Sequence, residues 1–109
     1  MARTAATLMI TALLAAGSAH ADTPAVDLTI SDHRFQPEAV TVPAGERVKL
    51  VVHNQDATPE EFESHELGRE KIIAGHGKAI IYLGPLDAGA YPFFGEFHQA
   101  TAQGRVIAR

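Results

Sequence analysis

Short runs of alternating apolar and polar residues are the feature that most constrains the fold of this chain. In the first run, Val26, Leu28 and Ile30 alternate with polar residues, as in a strand with one buried face. Further β-rich runs follow along the chain, at residues 39–42, 47–53, 72–73, 79–83 and 105–108. Turn-forming residues separate the runs at intervals of about eight to twelve residues, a spacing typical of β-sandwiches. The sequence therefore predicts an all-β sandwich of about seven strands, with Phe35 and Pro37 breaking the first run.

The first 21 residues have the pattern of a secretory signal peptide. Arg3 supplies a positive start, and Leu8 to Ala16 form an apolar stretch that is too short to span a membrane. Ala19-His20-Ala21 is a small-x-small cleavage site. We therefore predict cleavage after Ala21, a periplasmic location, and one domain over residues 22–109.

The charge and the cysteine content of the chain argue against several classes of protein. The formal net charge is −4, so neither nucleic acid nor an anionic membrane surface is an expected partner. Cysteine is absent from the 109 residues, so disulfides cannot stabilise the exported domain. Packing or a metal ion must do so instead.

The segment TPEEFESH, residues 58–65, has two interpretations. Its Thr-Pro-Glu-Glu start is similar to a helix capping box with proline at the first helical position. As a strand, the segment places Glu61, Glu63 and His65 on one face and Phe62 on the other. We favour the strand, because no apolar period of a helix follows.

The segment GAYPFFGEFHQATAQG, residues 89–104, combines an aromatic run with a carboxylate and an imidazole. Aromatic residues favour strands, and Gly95 after the run indicates a tight turn or a close backbone approach. Glu96 and His98 are therefore expected on a loop at the end of a strand. These two residues are candidate site residues.

Together these segments resemble the cupredoxin family. Tyr91, Phe93, Phe94 and His98 match, in register, the family's closing motif Tyr-x-Phe-Tyr-Cys-x-x-His. The resemblance extends over most of the chain from Val26 onward. It implies that the sandwich is a cupredoxin-like Greek-key fold.

The chain departs from the cupredoxin pattern at the copper ligands. The family's cysteine falls at Gly95, and its upstream histidine falls near Glu60 and Glu61. Its axial methionine falls near Ala102 or Gln103. A type 1 blue-copper centre requires a thiolate, so this chain cannot build one.

Two segments, EEFESHELGREK and YPFFGEFH, further resemble the small exported cupredoxins that accompany bacterial high-affinity iron permeases. The resemblance implies capture of iron, as Fe²⁺ or Fe³⁺, in the periplasm. It implies an inner-membrane iron permease and other periplasmic iron-uptake components as partners. Whether ferrous iron is also oxidised, in a ferroxidase-type activity, is left open by the resemblance.

We predict a metal site at the end of the sandwich where the upstream acidic segment meets the loop after the aromatic strand. Carboxylates with one or two imidazoles suit iron or another divalent ion better than copper(I). The predicted ligands are Glu61, Glu63, Glu96 and His98, with Glu60 and His65 as second choices. Glu38 and Glu70 are expected outside this group, and His33, His53 and His76 are expected to be ordinary strand, loop or surface histidines.

Two other functions stay open at the level of the sequence. A copper carrier or copper-assisted oxidase would use His98, His65 and His76. A β-sandwich without metal would instead bind a protein partner. The metal content of the purified protein distinguishes the metal-free β-sandwich from the iron-binding and copper-binding functions.

Overall fold

The computed structural model of the protein describes residues 22–109. The predicted signal peptide, residues 1–21, lies outside the described residues. Among the described residues, no helix has the length and the apolar character needed to cross a membrane.

Nine β-strands form the fold within the described range. They are β1 (Ala25–Ser31), β2 (Arg34–Gln36), β3 (Ala39–Val42), β4 (Val48–Asn54), β5 (Glu60–Ser64), β6 (Arg69–Ile73), β7 (Lys78–Leu83), β8 (Gly89–Gly95) and β9 (Gln103–Ala108). A single 3₁₀ turn, Glu96–His98, connects β8 to the loop before β9.

The strands pack as two sheets, which confirms the predicted β-sandwich. One sheet has the order β2-β1-β4-β7, and the other has the order β3-β9-β8-β5-β6. The pairs β1–β4 and β3–β9 are parallel, and the remaining pairs are antiparallel. These non-sequential neighbours place segments that are distant in the chain side by side.

The strand count differs slightly from the predicted seven, and one reason lies after β1. Phe35 was expected to break the strand pattern, but it lies in the short strand β2. Its backbone pairs with Ile30 of β1, and its side chain is buried in the core. A tight turn at Asp32 and His33, both with positive φ, allows this return.

The core lies between the inner faces of the two sheets. Leu28, Leu50 and Phe62 are fully buried, as the period of two along their strands predicts. The ring of Phe93 in β8 lies 4.8 Å from that of Phe62 in the neighbouring strand β5, between centroids, so the two strands share an aromatic contact on the inner face of their sheet. Burial of such aromatic side chains is a major source of stability in a small domain.

The segment 58–65 forms strand β5 over Glu60–Ser64, as favoured from the sequence. Phe62 faces the core, and Glu61 and Glu63 lie on the opposite, outer face. His65 follows the strand in a turn and is exposed. Because β5 lies between β6 and β8, residues on both of its faces have neighbours from two other segments.

Candidate metal centres

Strand β5 carries carboxylates on both faces, and each face contributes to a group of potential metal ligands. The acidic group consists of Glu61, Glu63, Glu70 and Glu96. The histidine group consists of His33, Glu60 and His98. Within each group, one potential ligand atom from every residue lies within 4.8 Å of the others.

Strand register explains why the acidic group forms. Glu63 is directly opposite Glu70 in the antiparallel β5–β6 pair. On the other side of β5, Phe62 is opposite Gly95 of β8, so one further step along the strands brings Glu96 beside Glu61. Like charges that lie side by side on adjacent strands repel each other, so this arrangement is unfavourable without a compensating proton or cation.

The carboxyl groups of Glu61 and Glu63 have raised pKa values. A hydrogen bond shared with Glu70, followed by burial and the charge of Glu96, raises the pKa of Glu61 from 4.5 to about 7. A hydrogen bond shared with Glu96, followed by burial, raises the pKa of Glu63. Two carboxylates share such a hydrogen bond only when one of them keeps its proton. The group therefore retains protons that isolated glutamates would release.

Glu61 lies at the base of the acidic group. Its side chain is buried, and its Oε1 atom accepts no hydrogen bond from an N–H or hydroxyl group, so in the metal-free protein only a proton shared between carboxylates is at hand to satisfy it. A buried polar atom without a partner is costly unless water, a proton or an ion satisfies it. Glu70 and Glu96 are exposed at the rim, so the group is open to solvent. The chemistry of these donors fits a hard cation that prefers oxygen ligands.

Glu60 forms the centre of the histidine group on the opposite face of β5. It is only 1% exposed, and its Oε1 atom accepts the backbone N–H groups of Glu61 at 3.0 Å and Phe97 at 2.9 Å. Its Oε2 atom contacts Nδ1 of His98 at 2.5 Å. These contacts compensate the buried charge and fix the direction of the carboxylate.

Gly95 explains how a glutamate fits at this place. A Cβ atom at position 95 would lie 2.7 Å from Cδ of Glu60 and 2.6 Å from Cβ of Ala102. The Glu60 carboxylate therefore fills the volume that a side chain at position 95 would need. In the cupredoxin resemblance, the cysteine falls at Gly95 and the axial methionine near Ala102 or Gln103, so Glu60 lies beside a position that the resemblance assigns to a copper ligand.

His33 completes the histidine group from the turn between β1 and β2. Its ring stacks on that of His98, with centroids 3.7 Å apart and an interplanar angle of 12°. Two nitrogen donors and one carboxylate oxygen are thereby brought together by three separate segments. Such a mixed N/O donor set suits divalent transition ions, including copper, zinc and iron.

The structure groups some predicted ligands and separates others. Glu61, Glu63 and Glu96 come together as expected. His98 does not join them, because it lies in the histidine group with Glu60. Glu70, which was expected outside, belongs to the acidic group because the β5–β6 register places it opposite Glu63.

The remaining histidines fall in different places. His65 belongs to neither group; its ring lies 5.8 Å from that of Phe94 on the surface. His53 pairs with Asp27 at 2.9 Å, away from both groups. The sequence predicts an ordinary histidine at His33, whereas the structure places it in the histidine group. No local sequence signal marks it, because its role depends on a contact with a residue 65 positions later in the chain.

The two-sheet sandwich and its strand order define a cupredoxin-like class of protein. The chain belongs to the cupredoxin-like domain family, whose sequence profile matches residues 4–108.

Among curated proteins, the chain is similar to an uncharacterized protein of Rickettsia prowazekii (strain Madrid E). The two are 52% identical over 82 residues, which cover 75% of this chain and 66% of that protein. The match thus spans slightly less than two thirds of the relative's length.

Among solved structures, the chain is similar to auracyanin A, a "blue" copper protein from Chloroflexus aurantiacus, with a TM-score of 0.69, 14% identity, and coverage of 78% of this chain and 98% of that one. It is also similar to the metal-binding domain of the Cu(I)-exporting P-type ATPase CopA of Streptococcus pneumoniae D39, with a TM-score of 0.68, 14% identity, and coverage of 78% and 84%. Amicyanin from Paracoccus versutus matches with a TM-score of 0.61, 25% identity, and coverage of 81% and 86%. At identities this low, the first two similarities show the shared fold alone.

Proposed function

We propose that this chain is a periplasmic metal-binding cupredoxin-like protein that serves iron uptake, with iron held by the acidic group. The proposal rests above all on Glu61, whose buried Oε1 atom accepts no hydrogen bond from an N–H or hydroxyl group and lies among converging carboxylates. A bound cation would satisfy that atom and relieve the repulsion that now keeps protons in the group.

The donor set favours the ferric state of iron. Carboxylate oxygens stabilise Fe³⁺ more than Fe²⁺, because the attraction grows with the charge of the ion. Binding therefore lowers the reduction potential of the iron and favours loss of one electron from Fe²⁺ to an external acceptor such as dioxygen. A ferroxidase-type activity would follow from this difference in affinity.

The accessibility of the acidic group suits delivery to a partner. Glu70 and Glu96 are exposed at the rim, so an ion can leave without unfolding of the domain. The similarity of residues 60–71 and 91–98 to exported cupredoxins of iron permease systems supports an inner-membrane iron permease as the recipient. Delivery to such a permease, together with other periplasmic iron-uptake components, is part of the proposal.

The test is a titration of the metal-free protein with Fe²⁺ under anaerobic conditions and with chelated Fe³⁺, Mn²⁺ and Ca²⁺. We expect iron to bind, with Fe³⁺ tighter than Fe²⁺. Glu61→Gln and Glu70→Gln should each weaken Fe³⁺ binding at least about tenfold, on the order of 1.4 kcal/mol. Glu38→Gln, which changes an exposed glutamate outside both groups, is the matched control and should bind iron like the parent.

Two outcomes would contradict the proposal. If Glu61→Gln and Glu70→Gln bind iron as the parent does, the acidic group does not hold it. If Ca²⁺ or Mn²⁺ binds more tightly than both iron ions, the group serves a different cation.

The copper function based on His98, His65 and His76 finds no support in the geometry. These three histidines do not converge: only His98 lies in a group of potential ligands among the described residues. A copper function would need a different set of donors.

A further inference from the structure

We propose that the histidine group is a second metal site, separate from the acidic group, which binds a divalent transition ion and holds copper(II) most tightly. Its ligands are the carboxylate of Glu60 and the imidazoles of His33 and His98. In this site, His33 from the β1–β2 turn supplies the second nitrogen donor. In the cupredoxin pattern that donor is the upstream histidine, which falls near Glu60 and Glu61 in this chain.

The three donors come from segments that the fold fixes independently. His33 lies in the turn between β1 and β2, Glu60 begins β5, and His98 ends the 3₁₀ turn after β8. Their potential ligand atoms lie within 4.8 Å of one another. The fixed backbone positions suit one ion, which the three donors reach when the stacked His33 and His98 rings rotate so that one nitrogen of each points at it. Sites with nitrogen and oxygen donors generally bind copper(II) more tightly than the other divalent first-row ions.

Glu60 has the properties of a preorganised ligand. Two backbone N–H groups hold its Oε1 atom, and its Oε2 atom is directed at His98. A carboxylate that is 1% exposed cannot rotate away to solvent. Gly95 leaves the space that this side chain fills. The chain has thus replaced a thiolate by an oxygen donor within the same volume, which exchanges a soft ligand for a hard one.

The turn that carries His33 has an unusual backbone conformation. Asp32 has a φ of 52° and His33 a φ of 54°, and neither residue is glycine. Such conformations persist only where surrounding contacts enforce them, and they cluster at functional sites. Here the contacts come from Asp56 and Thr101.

Asp56 is the positioning residue for His33. Its Oδ1 atom accepts the N–H of Asp32 at 2.8 Å, and its Oδ2 atom accepts the N–H of His33 at 3.0 Å. The same Oδ2 atom lies 3.5 Å from Nδ1 of the His33 ring. On the other side of the turn, the Thr101 hydroxyl donates to the carbonyl oxygen of His33 at 2.6 Å. These contacts hold the backbone and the ring together, as carboxylates commonly do for metal-bound histidines.

The two sites are independent in their ligands. Glu60 and Glu61 are neighbours in sequence but lie on opposite faces of β5, and the two groups share no residue. Failure of one proposal therefore leaves the other standing. The variant Glu61→Gln weakens the proposed iron site while leaving every ligand of the histidine group in place.

The test is a titration with copper(II) of the Glu61→Gln protein, in which the acidic group competes less for the ion. We expect one equivalent to bind, with an electron paramagnetic resonance spectrum that shows two imidazole nitrogens and with no intense blue absorption. Adding His33→Ala to this protein should weaken copper(II) binding at least about tenfold and leave one nitrogen in the spectrum. His53→Ala is the matched control, because His53 pairs with Asp27 outside the group.

The role of Asp56 is tested by Asp56→Asn in the protein with an intact acidic group. Loss of an outer contact to a metal-bound histidine typically weakens metal affinity 10- to 100-fold, and we expect copper(II) binding to weaken within that range. Iron binding at the acidic group should stay unchanged. A merely structural role for Asp56 would weaken both.

The proposal is overturned if the His33→Ala protein binds copper(II) with the parent affinity and still shows two nitrogens. It is also overturned if His53→Ala weakens copper(II) binding as much as His33→Ala does. His33 is partly exposed, with 41% of its side-chain surface accessible, so its removal is compatible with folding even if a Glu60 variant fails to fold.

Discussion

Glu60 and Glu61 are adjacent glutamates with opposite chemical situations. Two backbone N–H groups and a histidine surround Glu60, so its negative charge is compensated. Other carboxylates surround Glu61, so its charge is opposed. Local sequence cannot distinguish the two, because their difference comes from which face of β5 each side chain occupies.

The raised pKa of Glu61 predicts how the stability of the metal-free protein depends on pH. The folded state binds the proton more tightly than the unfolded state, where the pKa is near 4.5. The resulting stabilisation is present below pH 4.5 and is lost as the pH rises through about 7. We expect the melting temperature of the parent to fall over this interval. Glu61→Gln should flatten the profile, and thermal unfolding at several pH values measures both.

The pH dependence caused by Glu61 is distinguishable from that caused by Asp56, because the two carboxyl groups act in different pH ranges. The pKa of Asp56 is lowered from 3.8, chiefly by the N–H of His33, so its contribution is lost only as the pH falls below that value. The two windows do not overlap. A Glu61→Gln profile as steep as the parent's between pH 4.5 and 7 would contradict the assignment of Glu61.

The 3₁₀ turn after β8 decides how the loop residues are divided between the two groups. In an extended strand, Glu96 and His98 would lie on the same face, since side chains alternate with a period of two. In a 3₁₀ turn, with about 3.0 residues per turn, two residues apart means about 240° of rotation, so the side chains point to different sides. Glu96 consequently joins the acidic group, and His98 turns inward to Glu60.

Strand β8 has a glycine at each end, and only one of them is required by packing. An alanine at position 95 would place Cβ 2.6 Å from Ala102 and 2.7 Å from Glu60, whereas at position 89 the nearest contact is an ordinary 3.8 Å. We expect Gly95→Ala to lower the free energy of unfolding by about 1–3 kcal/mol, as overpacking usually does. It should also displace Glu60 and weaken copper(II) binding. Chemical denaturation and copper titration measure these two effects.

Gly89→Ala is the matched control for this prediction, because it adds the same methyl group at the open end of the same strand. Its stability and copper(II) affinity should equal the parent's. If Gly95→Ala also leaves both unchanged, the close approach of Glu60 to Gly95 does not constrain the site.

At the scale of the whole molecule, the domain is small and lacks disulfides, so bound metal is expected to contribute visibly to stability. An ion that binds only the folded state at a free concentration of 100 times its dissociation constant adds about 2.7 kcal/mol. For a domain of this size, about 1 kcal/mol shifts the melting temperature by about 4–8 °C. We therefore expect saturating iron to raise it by on the order of 10 °C. Differential scanning calorimetry with and without iron measures the shift.

The same scan on Glu61→Gln checks the origin of the shift. At the same iron concentration, a tenfold loss of affinity reduces the stabilisation from about 2.7 to about 1.4 kcal/mol, so the melting temperature of that variant should rise about half as much or less. An equal rise in both proteins would show that iron stabilises the domain from somewhere other than the acidic group.

The sequence by itself determined the class of fold, the absence of a thiolate ligand and the shared face of Glu61 and Glu63. The period of two in residues 26–30 and 47–53 permits only strands with one buried face, which is why the β-sandwich could be predicted. The absence of cysteine excludes a thiolate centre in any arrangement of the chain. Because alternation is local, the shared face of Glu61 and Glu63 followed as soon as β5 was identified as a strand.

Only the tertiary structure decided which residues complete each group. Glu70 joins the acidic group because the register of β5 against β6 places it opposite Glu63. Turn geometry and packing set that register, and Glu70 itself does not. His33 reaches His98 because β2 returns across β1 and Asp56 holds the turn. These contacts join positions far apart in the chain, so no local pattern encodes them, and they exist only once the two sheets have closed around the core.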